Sequence, residues 1–299
     1  MTETTRRDVL RAAAVGGAVV AAAAVVGGAV ASGPTEAPAP KPATGARMPT
    51  LFLAHGAPPI LEDQAWMATW HAWANALPRP TAVLMLSAHW EAKPTTIGAT
   101  TTVPLIYDFY GFPPRYYETK YPAPGAPALA ERVRALLTPG GPVAEDPARG
   151  LDHGAFVPLI GMYPQADVPV LQISLPSQDP KALWALGQRL APLRDEGVLI
   201  MGSGFLSHNL RALDFRPNAP VVAWAQEFDA WCAQVLSSHD VDALLDYRNK
   251  APAVRLALPT HEHFIPVITA MGAAEGAATT FPVTGIWAGS LTKRSAQFG

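Results

Sequence analysis

Four short, uncharged apolar runs constrain this chain more than any other feature: Thr50–Ala54, Ala82–Ser87, Val168–Leu175 and Val198–Met201. Each has strand length and apolar residues for both faces, as a strand buried between two helical layers requires. Between and after them, Gln64–Ala76, Ala128–Leu137, Lys181–Leu193, Val221–Leu236 and Val241–Tyr247 carry apolar residues at helical spacing, and Phe264–Met271 starts another such segment. Thr279–Leu291 reads as a terminal strand or hairpin. Alternation of this kind predicts an α/β fold with a central, mostly parallel or mixed sheet flanked by helices. No repeat or internal linker interrupts residues 49–299, so a single domain is expected there.

One segment departs from the alternation. Thr101–Gly125 holds five tyrosines and two phenylalanines among five prolines, with little periodicity. Either it is a proline-stiffened surface loop whose aromatics dock on the core, or it is a lid over a binding site; loops of this length in compact domains are often functional.

The N-terminus reads as an address. Arg6-Arg7 precedes an uncharged Ala/Gly/Val run ending in Ala29-Val30-Ala31, the pattern of a cleavable export signal over residues 1–31. The paired arginines resemble the twin-arginine signal, which implies a folded cargo and a periplasmic destination. About twenty residues also suffice for a membrane anchor, but small residues at the expected cut favour cleavage. Residues 32–48 are rich in Pro and Ala and read as a linker.

Composition excludes several classes. Hydrophobic residues make up 49% and charged residues 15%, which rules out a disordered chain. A net charge of −2 lacks the basic excess that draws proteins to nucleic acid. The single cysteine, Cys232, rules out a disulfide framework and a thiolate-only metal site.

Histidine placement carries the chemistry. Five of the eight histidines end apolar runs or sit in short Gly/Pro/Ser motifs: His55, His89, His153, His208 and His263. His55 and His89 follow expected strands, and His208 follows another by a glycine-containing turn. Ligands of open α/β sheets bind outside the carboxyl ends of the strands, so these side chains should face one crevice. Imidazoles from distant segments, with no cysteine pair available, most simply converge on one metal; neutral imidazole suits iron and zinc alike. His71 reads as a helix-face residue and His239 as a residue at a helix start.

HGAPP, SAHWE, DFYGFP, YPAPG, LDHGAFVPL, SHNLR and PTHEHFIPV occur in that order. Together they resemble the class III extradiol ring-cleavage dioxygenases, the 4,5-DOPA dioxygenase type above all, from about Met48 to Gly299. The resemblance implies metal ligation by His55, His89 and His263. It makes His208 a fourth ligand or an acid/base beside the metal, and it puts His153 in the substrate pocket. His261 stands where the family needs no histidine. The implied cofactor is iron(II) for ring cleavage, with zinc(II) as an alternative occupant, because zinc has no accessible redox change. The implied partners are a catecholic small molecule and molecular oxygen. No nucleic acid is expected, and the membrane is met only through the export signal.

Around that site, Glu91, Asp152 and Glu262 are not obvious ligands. Arg115 and Arg211 are candidates to pair with a substrate carboxylate, although solvent exposure or a local acid partner accounts for them more simply. Trp90 reads as packing. Two rival functions use the same histidines: a zinc hydrolase, which finds no GxSxG nucleophile turn here, and a non-enzymatic periplasmic metal-binding protein with a closed site.

Overall fold

In the computed structural model, which describes residues 47–216 and 219–299, the strand runs alternate their side chains between two apolar layers. In β1 (Thr50–Ala54), Leu51 and Leu53 enter one layer and Phe52 the other. β2 (Ala82–Glu91) divides Val83 and Met85 from Leu84 and Leu86, and β6 (Val198–Gly204) divides Leu199 and Met201 from Ile200. That period of two lets one sheet hold two cores.

The remaining strands are β3 (Thr96–Ile97), β4 (Ala144–Glu145), β5 (Val170–Leu175), β7 (Thr279–Val283), β8 (Ile286–Trp287), β9 (Leu291–Thr292) and β10 (Ser295–Phe298). Among the described residues they form an eight-stranded sheet ordered β4-β3-β5-β2-β6-β1-β10-β7 and a separate β8-β9 pair. The centre is parallel: β5, β2, β6 and β1 run together. β10 pairs antiparallel with β1 and β7, and β3 antiparallel with β5. The sheet is therefore mixed, as the sequence suggested.

Helices α1 (Gln64–Ala76) and α3 (His153–Met162) cover one face, with Trp66, Trp70, Trp73 and Phe156 in the core. Helices α2 (Pro127–Leu137), α4 (Pro180–Leu190), α5 (Ala223–Ser238) and α6 (Pro266–Gly272) contribute to the core on the other. Asp63 caps α1, accepting from the Trp66 amide, and Asp179 caps α4 through Lys181.

Several expectations are corrected here. β2 runs on to Glu91, which pairs with Leu175 beyond an irregularity in the ladder, so His89 lies within the strand instead of after it. β6 extends from Met201 to Gly204 because Gly202 and Gly204 pair with Phe52 and Ala54. Helix α3 was not expected. Nine of its ten residues are buried, so it has no polar face to create a helical period, and Pro158 stands inside it. The segment Val241–Tyr247 breaks into two short helices, Val241–Leu245 and Tyr247–Lys250. His239 closes α5 in a left-handed conformation (φ 55°) instead of opening a helix. The last strand, β10, lies past the expected terminal hairpin. The proposed signal at 1–31, and the linker at 32–48 apart from its final two residues, lie outside the described residues.

Candidate metal centre

The carboxyl ends of β1, β2 and β6 lie side by side, and there the site assembles. His55 directly follows β1 and is 1% exposed. Gly56 at φ +72° turns the chain away at once, a conformation that costs other residues a steric penalty. His89 stands near the end of β2. His263 arrives from the turn before α6, and its carbonyl accepts from the Phe205 amide at 2.8 Å. A Cβ on Gly204 would lie 2.0 Å from that carbonyl oxygen. The glycine in this strand is thus what lets the His263 segment come so close.

The five singled-out imidazoles converge. Ring centroids are 5.0 Å apart for His55 and His89, 5.3 Å for His55 and His263, and 4.9 Å for His89 and His263. One ligand nitrogen from each of these three lies within 4.8 Å of the others. His153, the first residue of α3, is 4.0 Å from His89 by ring centroid. His208 stacks on His263 at 3.4 Å with planes 12° apart. An imidazole lone pair lies in its ring plane, so a cation on the His263 lone pair falls out of the plane of His208. A cation shared by His55, His89 and His263 would therefore have His208 beside it, although one nitrogen of His208 also lies within 4.8 Å of ligand atoms of Glu262 and His263.

Hydrogen bonds fix which nitrogen each ring offers. The Ser203 hydroxyl donates to the Gly154 carbonyl. Having one proton to give, its oxygen must accept from His55 Nδ1, 3.0 Å away. His89 Nδ1 faces Asp108 Oδ2 at 3.1 Å and His153 Nδ1 faces Asp108 Oδ1 at 2.7 Å. His263 Nδ1 faces Glu262 Oε1 at 3.0 Å. Carboxylates only accept, so in these four rings Nδ1 is a donor, and in the neutral imidazole Nε2 then keeps its lone pair.

Those lone pairs test for a cation. His55 Nε2 and His89 Nε2 are 3.2 Å apart, and two lone pairs at that distance repel unless something positive lies between them. Nitrogens ~2.05 Å from one cation and roughly 100° apart about it are spaced by about 3.2 Å. An all-imidazole donor set suits zinc or iron(II), and the hydrogen-bonded Nδ1 positions match the supporting shell that orients metal-binding histidines. The residues fit a divalent metal.

Electrostatics agree. Burial pushes His55 and His263 well below the ordinary histidine range, and the neighbouring imidazoles push the same way. Burial also lowers His153, against the hydrogen bond to Asp108. Burial lowers His208 to about 4, against the attraction of Glu262. The Asp108 carboxyl is pushed up by burial, but the hydrogen bonds from His153 and His89 outweigh this and hold it well below the ordinary carboxylate range. Burial thus disfavours the protonated form of His55, His153, His208 and His263, which leaves their lone pairs available to a metal.

Asp108, Ser203 and the supporting role of Glu262 escaped sequence reasoning. Asp108 lies in the DFYGFP motif, yet nothing in local spacing links it to His89 or His153. Elsewhere the plainer readings hold: Arg115 pairs with Glu62 at 2.5 Å, and Trp90 packs under the Arg149 guanidinium at 4.9 Å. Asp152 is fully buried against Ser87, Arg149 and Gln172. His261 packs edge-on to Tyr247 at 5.5 Å. His71 is exposed on α1, and Arg211 is exposed with no ion pair among the described residues.

Comparison with known proteins covers the same domain. Residues 49–297 match the family described as the catalytic LigB subunit of aromatic ring-opening dioxygenase. The chain is 40% identical over 262 residues to the 4,5-DOPA dioxygenase extradiol of Escherichia coli K12, covering 85% of this chain and 95% of that protein. It is 41% identical over 251 residues to the protein of the same name from Beta vulgaris, covering 81% and 92%. The crystal structure of an uncharacterized protein from E. coli K12 superposes with a TM-score of 0.73 at 39% identity, over 85% of this chain and all of that one.

Proposed function

Because the chain belongs to the LigB family of aromatic ring-opening dioxygenases and is an extradiol ring-cleavage dioxygenase, we propose that its substrate is a catechol of DOPA-like size and that iron(II) serves the reaction. One observation supports this above all: three imidazoles, His55 and His263 buried and His89 half-buried, each with Nδ1 committed to an acceptor, bring one ligand nitrogen apiece within 4.8 Å of the others at the strand ends. In this reading His55, His89 and His263 hold the metal.

The bound metal supplies redox chemistry with oxygen and lowers the pKa of the catechol hydroxyls it binds; zinc in its place supplies only the second. The chain's own residues do the rest. His208 is the acid/base: with its pKa near 4 it is neutral at pH 7, so a ring nitrogen can take a proton from a substrate hydroxyl and return it later. His153, held by Asp108, presents Nε2 as an acceptor beside His89. Phe109 stands edge-on to His153 at 5.7 Å and tilts against Tyr117 at 4.9 Å, which supports a role for the aromatic loop in excluding water and stacking on the substrate ring.

The test is anaerobic reconstitution with iron(II), then a panel of catechols with oxygen uptake and visible absorbance recorded together. Equimolar oxygen consumption and a yellow ring-opened product are expected, with zinc-loaded protein inert. Oxygen-independent ester or amide hydrolysis by the zinc form would favour the hydrolase reading instead.

Export belongs to the same proposal. The paired Arg6 and Arg7 ahead of an uncharged run support twin-arginine transport of the folded domain to the periplasm. Replacing both with lysine should leave the protein in the cytoplasm on cell fractionation; unchanged periplasmic recovery would refute it.

A further inference from the structure

The aromatic loop reaches the imidazole cluster through one carboxylate. Asp108 sits midway along Thr101–Gly125, and its side chain is 22% exposed, turned inward. The loop is pinned to the core on either side of it: Ile106 donates its amide to the Leu151 carbonyl at 2.9 Å, and the Tyr121 hydroxyl donates to the Tyr163 carbonyl at 3.0 Å, while the Tyr107 hydroxyl ties the loop to itself at the Thr119 carbonyl, 2.7 Å away. Tyr107 also packs edge-on against Phe156 at 6.0 Å.

The two oxygens of Asp108 are not equivalent. Oδ1 accepts twice from His153, from Nδ1 at 2.7 Å and from the backbone amide at 3.1 Å. Among the described residues, Oδ2 meets only His89 Nδ1, at 3.1 Å. An asparagine here would have one oxygen to offer. Two donors, one of them a backbone amide that cannot change tautomer, would draw that oxygen to the His153 side. The amide NH2 would then face His89 Nδ1–H, donor against donor. His89 escapes that clash only by moving its proton to Nε2 or by turning away, and either removes its lone pair from the point it shares with His55.

We propose that Asp108 is a positioning residue through which the docked aromatic loop sets the metal-binding competence of His89, by holding the proton on Nδ1 and so leaving Nε2 free. This rests on the metal reading given above. It makes loop docking and metal affinity a single property: a loop displaced from the cluster takes the acceptor for His89 with it, whereas His55 keeps its own support from Ser203 in β6.

The experiment uses the full chain with zinc(II) as the probe. Affinity is read by competition with a chromophoric chelator, and imidazole tautomers by nitrogen-15 NMR of the metal-free protein. Asp108→Asn should bind zinc about 10- to 100-fold more weakly, with the His89 proton moved to Nε2 and His153 still protonated on Nδ1. Asp108→Glu, which keeps two acceptor oxygens, should bind more tightly than Asp108→Asn. Wild-type zinc affinity in Asp108→Asn, or inversion at His153 in place of His89, would overturn the inference. Should the asparagine variant fail to fold, the wild-type spectrum decides, since a His89 proton on Nε2 would end the argument and one on Nδ1 supports it. His89→Ala separates the two levels. If it binds zinc as tightly as wild type, the metal reading fails and this inference with it; if it binds weakly while Asp108→Asn does not, only the inference fails.

Discussion

His55 and His89 face the same point from the ends of the two strands that flank β6, yet they are supported in opposite ways. His55 leans on Ser203, a neutral hydroxyl inside β6 that is fully buried and tied to the Gly154 carbonyl. His89 leans on Asp108, a charged side chain carried by a loop with no sheet ladder of its own. The first support forms when the sheet forms. The second depends on aromatic packing and a few hydrogen bonds, the low-stability end of a folded domain. One half of the site is therefore built by the fold, and the other is completed by a docked segment.

The largest effect should come from removing a group common to both halves. His263→Ala should lose more than about 100-fold in metal affinity, beyond what supporting groups contribute, and ring opening should fall to background; retained metal by elemental analysis with normal turnover would refute its assignment. Next comes Gly204→Ala. Its Cβ would meet the His263 carbonyl, so β6 and the His263 segment must part, costing about 1–3 kcal/mol. Displacement of about 1 Å at a reacting centre is worth about 100-fold in rate, to be read by thermal denaturation and by kcat.

Ser203→Ala sharpens the comparison directly. It removes the acceptor for His55 and should weaken metal binding about 10- to 100-fold, while the aromatic loop keeps wild-type protection in hydrogen exchange. Asp108 variants should instead loosen both. Equal loop protection in the two variants would erase the distinction.

Acidification probes the whole cluster. His208 has a folded pKa of about 4 against about 6.5 in an unfolded chain, and burial lowers His55, His153 and His263 as well. Between those values the unfolded chain binds more protons, so stability falls as pH falls. The melting temperature of the metal-free protein should thus decline steadily from about pH 6.5 to about pH 4. A flat profile would contradict the burial of neutral rings. The smallest effect is expected of Arg115→Ala. That guanidinium is exposed and pairs with Glu62, so KM and melting temperature should stay at wild-type values; a raised KM for carboxylate-bearing catechols would make it a substrate contact after all.

The apolar runs and their alternation with helical segments made the sheet legible, because burial on two faces leaves a local mark in sequence. Helix α3 left none, since a helix buried all round has no amphipathic period. The histidines were legible for a similar local reason, as polar residues that end apolar runs or sit in short Gly/Pro/Ser motifs.

Asp108, Ser203 and Glu262 were not legible in these roles. Ser203 is 148 residues from His55 and Asp108 is 45 from His153, and a hydrogen bond between distant segments writes no periodicity into either. What the sequence determined alone was the fold class and the residues able to bind a metal. Which nitrogen each ring presents, and that His208 stacks on His263, only the tertiary structure decided, because protons follow the acceptors that folding brings within reach.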